Sequence, residues 1–259
     1  MDRDPLPWIS VLRSSQDRLA ALVEPLGPDQ VDAPSMAGEW SVAQVLSHLG
    51  SQAEIFGAIL DAALEQRPLP GPDAFPPVWD AWNARSAVDQ VADSVTANER
   101  FVRRVETLSD AQLEGLRFPM FGMDLDVVGF LQMRVSENAV HTWDVAASLD
   151  PTATVAPDAV ALLIDTLPEL ARRVGKPQDT PIRIRVVTSD PARDLTLAVD
   201  DGVRIEGSDG GSTDGVLRLP AEGLVRLVYG RLDDKHTPTI ELDAAGLTLD
   251  RLRSVFPGL

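Results

Sequence analysis

Glu137 and His141, in the stretch SENAVHTWD at 136–144, stand four residues apart, so on a helix their side chains leave the same face. A carboxylate and an imidazole placed this way can converge on one ion. A third candidate donor is His48, in SVAQVLSHLGSQAEIF, on a strip with Val45, Gln52 and Ile55 beside that segment's apolar stripe. Facing helices of a bundle bring such strips together. Two imidazoles and one carboxylate suit a divalent metal that keeps an open coordination position, zinc by default, with iron, nickel or manganese as substitutes. The chain has three histidines, and two of them occupy inward-looking positions in the same half. The competing reading makes both histidines hydrogen-bonded packing residues, with the Glu/His spacing arising by chance. Asp144, near the end of the same segment, either orients an imidazole or is solvated, and solvation is the simpler expectation.

These donors need helices to position them, and the periodicity supplies four. PWISVLRSSQDRLAALVEPL spaces Ile9, Leu12, Leu19, Leu22 and Val23 near the helical repeat and ends near Leu26. A second helix begins at Ser41, which forms a capping box with Gln44 and heads a stripe of Val42, Val45, Leu49, Ala53, Phe56 and Leu60. The cluster RPLPGPDAFPPVWD is too rich in breakers for a helix. It leads to a third helix on Val88, Val91, Val95, Phe101, Val102 and Val105. After a loop, RFPMFGM, the fourth helix carries Val127, Val128, Leu131, Val135, Ala139 and Trp143. Four long amphipathic helices imply an antiparallel bundle over 1–150.

Beyond Pro151 the texture changes. PDAVALLIDTLPELARRVG reads as one helix, and PIRIRVVTSD, RDLTLAVDDG, VRIEGSDGG and GVLRLP alternate apolar and polar residues between Gly/Asp turns, the pattern of short antiparallel strands. AEGLVRLVYGRL is a short helix, followed by a strand and a helix in TIELDAAGLTLDRLRSVF. The expected class is therefore α+β: an N-terminal bundle over 1–150, then a smaller α+β domain with an antiparallel sheet over 151–259.

With 23 Lys and Arg against 40 Asp and Glu, the net charge is −17, which repels nucleic acid and anionic membrane surfaces. The opening MDRDPLPWISVLRSS lacks a basic segment followed by an apolar one, and no stretch approaches bilayer-spanning length, so a cytoplasmic protein is expected. There is no cysteine, which removes disulfides, thiolate ligands and a cysteine nucleophile together. Any sulfur chemistry must use a thiol from outside. GSDGGSTDG lacks the Lys-Ser/Thr of a phosphate loop and reads as a turn; Ser-His-Asp and Gly-x-Ser-x-Gly signatures are absent. His236, in DDKHTP, is expected to be solvated, and Trp40, Trp82 and Trp143 to be core.

Taken together, GEWSVAQVLSHLGSQAEIF, SENAVHTWDVA and LVRLVYGRL resemble the mycothiol-dependent maleylpyruvate isomerase family of actinobacteria. The resemblance spans both halves of the chain and implies a DinB-like fold for the bundle, with the metal carried by His48, Glu137 and His141. It also implies that the metal's open position accepts the thiolate of mycothiol, which attacks an activated carbon of a small electrophile. The expected function is an isomerase of the maleylpyruvate type or a thiol S-transferase, acting as a monomer or weak dimer. Two alternatives stay open: a non-catalytic small-molecule or protein-binding member, and a thiol-independent metal hydrolase. A dicarboxylic substrate needs cationic anchors, for which the planar fork of arginine is suited. Arg231, in YGRL, stands where the family has an arginine reaching back to the metal site, and Arg85, in WNAR, is a second candidate. The plainer readings are a helix C-terminal cation for Arg231 and a surface ion-pair partner for Arg85. Arg134, one turn before Glu137, either pairs with it or faces solvent.

Overall fold

The computed structural model describes residues 4–120 and 122–258. The chain divides into two compact units, Met1–Asp150 and Pro151–Leu259. In the first unit the elements are α1 Leu6–Val23, α2 Pro28–Val31, α3 Val42–Leu64, α4 Pro76–Asn83, α5 Ala87–Glu106, α6 Asp110–Gly115, β1 Phe118–Met120, β2 Met123–Leu125 and α7 Val127–Leu149. The long helices close a ring, since α1 packs on α5 and α7, and α3 packs on the same two. That is a four-helix bundle.

Local chemistry fixes the start of the two helices that carry the donors. Ser41 Oγ accepts from the Gln44 amide and Gln44 Oε1 accepts from the Ser41 amide, satisfying two groups that a helix start leaves open. Asp126 Oδ1 accepts from the Gly129 amide and starts α7 in the same way. The six stripe residues of α3 and the six of α7 are all buried. Full burial of each such Val, Leu or Phe contributes about 1.5–3 kcal/mol, so these stripes fix the rotation of both helices. His48 and Gln52 then fall on the half-buried strip of α3, facing Glu137 and His141 of α7.

Three expectations are corrected in this unit. RPLPGPDAFPPVWD is not free of helix: it forms a 3₁₀ turn, Pro72–Ala74, and the start of α4, where Pro76 and Pro77 sit in the first turn and have no amide hydrogen to lose from the ladder. RFPMFGM is not a plain loop but an antiparallel hairpin of β1 and β2, whose Phe118 is buried; Phe121 lies outside the described residues. On α5, Val88 is 56% exposed, and the buried face runs instead through Gln90, Ser94, Ala97, Asn98, Phe101, Val102 and Val105.

The second unit contains α8 Pro157–Leu163, α9 Leu167–Val174, β3 Ile182–Ser189, β4 Arg193–Val199, β5 Val203–Gly207, β6 Gly215–Pro220, α10 Ala221–Val228, β7 Glu241–Ala244 and α11 Leu249–Val255. The single helix expected after Pro157 is two, joined by a 3₁₀ turn at Ile164–Thr166, because Pro168 cannot continue the hydrogen-bond ladder. The sheet order is β5-β4-β3-β6-β7. Every pairing is antiparallel except β3 with β6, which is parallel. The connection through 208–214 passes from β5 to the open edge of β3, and a strand arriving by that route runs along β3 rather than against it.

Within the bundle, Gly50 of α3 admits the indole of Trp82, which is buried and donates its Nε1–H to Glu54 Oε2 at 2.8 Å. A Cβ at Gly50 would lie 2.2 Å from two ring carbons, whereas one at Gly57 on the same helix would meet nothing within 4 Å. Gly50→Ala is expected to destabilise the protein by about 1–3 kcal/mol through overpacking. Gly57→Ala is expected to stabilise it by up to about 1 kcal/mol through helix propensity. Denaturant unfolding of both variants checks the opposite signs.

Candidate metal centre

The structure brings His48, Glu137 and His141 together, with one donor atom from each lying within 4.8 Å of the others. Glu137 Oε2 is 2.9 Å from His48 Nε2 and 3.5 Å from His141 Nε2. The outer nitrogen of His141, Nδ1, donates to Asp144 Oδ2 at 2.8 Å. Asp144 is 0% exposed, so the expectation that it is solvated is corrected. With Nδ1–H committed to a carboxylate, it is Nε2 of His141 that faces the other donors and that offers a lone pair once the ring is neutral. This carboxylate–imidazole pairing sets the tautomer and orientation that ligating histidines require.

The donor set fits a divalent ion by its chemistry. Two imidazole nitrogens and one carboxylate oxygen converge from two helices, and the Gln52 amide nitrogen lies 2.9 Å from the carboxylate oxygen. Burial works to raise the Glu137 carboxyl, but hydrogen bonds and charge from His141 and His48 outweigh it and hold the group well below the usual carboxylate range. In the metal-free chain, burial works to lower His141, while its hydrogen bonds with Asp144 and Glu137 outweigh that and raise it to about 9. The site is therefore built for an ionised carboxylate beside groups that neutralise it.

Trp40, expected in the core, is 39% exposed. Its ring centroid lies 5.2 Å from that of His48 and 6.2 Å from that of His141. The loop that carries it is tied down at both ends, by Ser35 N and Oγ donating to the Trp40 carbonyl, each at 2.8 Å, and by Met36 N donating to the Asp144 carbonyl at 3.1 Å. The tryptophan thus covers the imidazoles from the solvent side. Beside it a cavity of about 520 Å³ is lined by Trp40, His48, Gln52, Phe56, Trp79 and Asn83, among others. Trp79 comes from the proline-rich segment.

Of the two arginines expected as anchors, Arg85 lies in the first unit and Arg231 in the second. Arg85 stacks on Trp82, its guanidinium carbon 3.7 Å from the ring centroid, and pairs with Asp93 at 3.1 Å. Arg231 belongs to the second unit, where its guanidinium donates to the Tyr229 carbonyl at 3.2 Å. His236 is not solvated, since Nδ1 and the backbone amide both engage Asp233 and the carbonyl accepts from buried Arg226. Arg134 neither pairs directly with Glu137 nor faces solvent: it is 0% exposed and hydrogen-bonds to Gln52, Asn98 and Asn138. The sequence carried a signal for this in Asn98 and Asn138, polar side chains next to apolar positions of the two helix faces.

The family model for the mycothiol maleylpyruvate isomerase N-terminal domain matches residues 12–146. Among solved structures, a mycothiol-dependent maleylpyruvate isomerase aligns with TM-score 0.65 at 14% identity, covering 88% of this chain and 89% of that one. A histidine-to-alanine mutant of a mycothiol-dependent maleylpyruvate isomerase aligns with TM-score 0.64 at 13% identity, covering 86% and 88%. At these identities the likeness is one of fold. YfiT from Bacillus subtilis, described as a probable metal-dependent hydrolase, aligns with TM-score 0.39 at 19% identity over 55% of this chain and 85% of that one. No curated protein matches the chain. Among the described residues, no helix is long and apolar enough to cross a membrane.

Folding raises His141 from 6.5 to about 9, so its protonation stabilises the metal-free fold. That contribution is complete below pH 6.5 and is lost as the pH rises through about 9. The Tm of chelator-treated protein is therefore expected to fall from pH 6.5 to pH 9, and His141→Gln to flatten that slope. An equal slope in the variant would refute the assignment.

Proposed function

Because the chain belongs to the mycothiol maleylpyruvate isomerase N-terminal domain family, we propose that it is a metal-dependent enzyme that uses mycothiol on a small electrophile, as an isomerase of the maleylpyruvate type or a thiol S-transferase. The observation that carries this reading is the convergence of His48, Glu137 and His141 within 4.8 Å beside a cavity. We assign zinc as the ion, since two imidazoles and one carboxylate leave the open position of a catalytic zinc site. The proposed setting is the cytoplasm of an actinobacterium that makes the thiol.

When bound, the ion supplies an electrophilic centre at which a thiol loses its proton near neutral pH. The chain's residues do the rest. Asp144 holds His141 in one tautomer, the positive field around Glu137 keeps its carboxylate ionised, and Trp40 shields the imidazoles from bulk water. The chain has no cysteine, so the attacking sulfur belongs to the cosubstrate. Attack on a carbon–carbon double bond conjugated to a carbonyl forms a C–S bond as the π pair moves onto the carbonyl oxygen. The pair returns when the C–S bond breaks, or a proton quenches it at carbon when the adduct is kept. In an isomerase, rotation about the former double bond precedes C–S cleavage, and the thiolate is returned; in a transferase the adduct leaves. For a substrate carboxylate the proposed anchor is Arg231, with Arg85 second; binding at Arg85 requires release of Asp93.

The test begins with elemental analysis of wild type, His48→Ala and His141→Ala. About one zinc per wild-type chain is expected, lost in both variants while circular dichroism stays unchanged. Turnover of an electrophile panel should then require mycothiol and fall by at least about 10²-fold in both variants. Hydrolysis without added thiol would replace this reading with a metal hydrolase. Metal-free wild type that retains a small molecule tightly would replace it with a binding protein.

A further inference from the structure

Gln52 lies one turn beyond His48 on α3, and its Nε2 is 2.9 Å from Glu137 Oε2 and 3.0 Å from His48 Nε2. Its other amide atom, Oε1, accepts from Arg134 Nη1. A guanidinium only donates, so the amide atom facing Arg134 must be the oxygen, and the NH₂ must face the donor cluster. Arg134 therefore decides which end of Gln52 meets Glu137. Turned the other way, the amide would set an oxygen beside a carboxylate oxygen, two acceptors with no proton between them.

Arg134 is an expensive residue for a merely structural task. It is 0% exposed, and its hydrogen-bond partners are neutral: Gln52, Asn98 Oδ1 at 2.8 Å and Asn138 Oδ1 at 3.2 Å. Its Nε finds no partner among the described residues. Phe56 and Phe101 flank the guanidinium, with ring centroids 5.4 and 5.7 Å from its central carbon. A well-packed apolar side chain of similar volume would avoid the desolvation of a buried cation and would serve the aromatic cluster equally well. What an apolar side chain cannot do is orient an amide.

We propose that Arg134 and Gln52 are positioning residues of the metal centre: Arg134 fixes the Gln52 amide, and the amide's N–H holds the Glu137 carboxylate in place for the ion. The proposal rests on the metal reading above. Partners that orient a ligating group typically change metal affinity by 10–100-fold when removed.

The test uses the full chain loaded with Co²⁺, read by its visible d–d bands and by chelator competition for Kd. Gln52→Leu and Arg134→Met are each expected to weaken Co²⁺ binding by about 10–100-fold and to shift the bands, with the circular dichroism of metal-free Gln52→Leu unchanged. Because Arg134 acts through Gln52, the double variant should bind Co²⁺ no more weakly than Gln52→Leu alone. Should Arg134→Met not fold, Arg134→Lys takes its place in the cycle. Variants that bind Co²⁺ with the wild-type Kd and spectrum overturn the proposal, as do additive losses in the double variant. Wild type that binds no Co²⁺ overturns the metal reading and this proposal with it.

Discussion

A half-buried, ionised carboxylate is the constraint around which the bundle is arranged. Glu137 sits between two helices with its side chain 29% exposed, and a carboxylate there is stable only if the surrounding groups replace the hydration it has lost. They do so from three directions: His48 and Gln52 from α3, His141 from the next turn of α7, and the field of Arg134 from the turn before. Each of these groups is in turn held by another. His141 leans on Asp144, Gln52 on Arg134, and Arg134 on two asparagines. The polar network runs through the bundle, and the apolar stripes on either side set the spacing between the helices that carry it.

The network also separates two kinds of core. At one end Leu19, Val23, Val42, Val45, Leu46, Leu49 and Val145 form an aliphatic cluster. At the other, Phe56, Phe101, Phe118 and Phe130 pack together, with Phe118 and Phe130 stacked 4.0 Å apart and the other pairs tilted or edge-on. Arg134 lies where the aromatic cluster meets the polar one, its flat faces against phenyl rings and its donors in amide oxygens. Guanidinium suits that boundary because it is planar and weakly hydrated, and a lysine could not supply the same fork.

What was legible in the sequence was local or periodic. The capping box at Ser41 fixed the register of α3, and the stripes of α3 and α7 were read residue by residue. The four-residue spacing of Glu137 and His141 placed both on one face, and His48 followed from its strip beside the stripe. What was illegible depended on contacts between distant segments. Asp144 looks solvated by its position near a helix end, but the loop before α3 closes over it through Met36. Trp40 looks like core by its type, but it caps the imidazoles from a loop. Arg134 looks like surface by its charge, and only the meeting of α3, α5 and α7 gives it three acceptors. The parallel pairing of β3 and β6 depends on the route of one loop, which alternation of side chains does not encode.

The cavity beside the donors adds a further consequence. The lining that the first unit supplies carries aromatic faces, amides and hydroxyls, and His48 is its one titratable member among the described residues. In a chain of net charge −17, such a wall holds a ligand through surface contact and neutral hydrogen bonds, with no cation in it to attract an anion. Positive charge would enter instead at the donors, since a divalent ion held there by one carboxylate and two imidazoles would keep a net positive charge. An anionic group of a ligand would then be drawn to the ion, while its apolar surface would lie along the aromatic wall. The positions of charge and of apolar surface thus assign separate tasks to the two sides of one site.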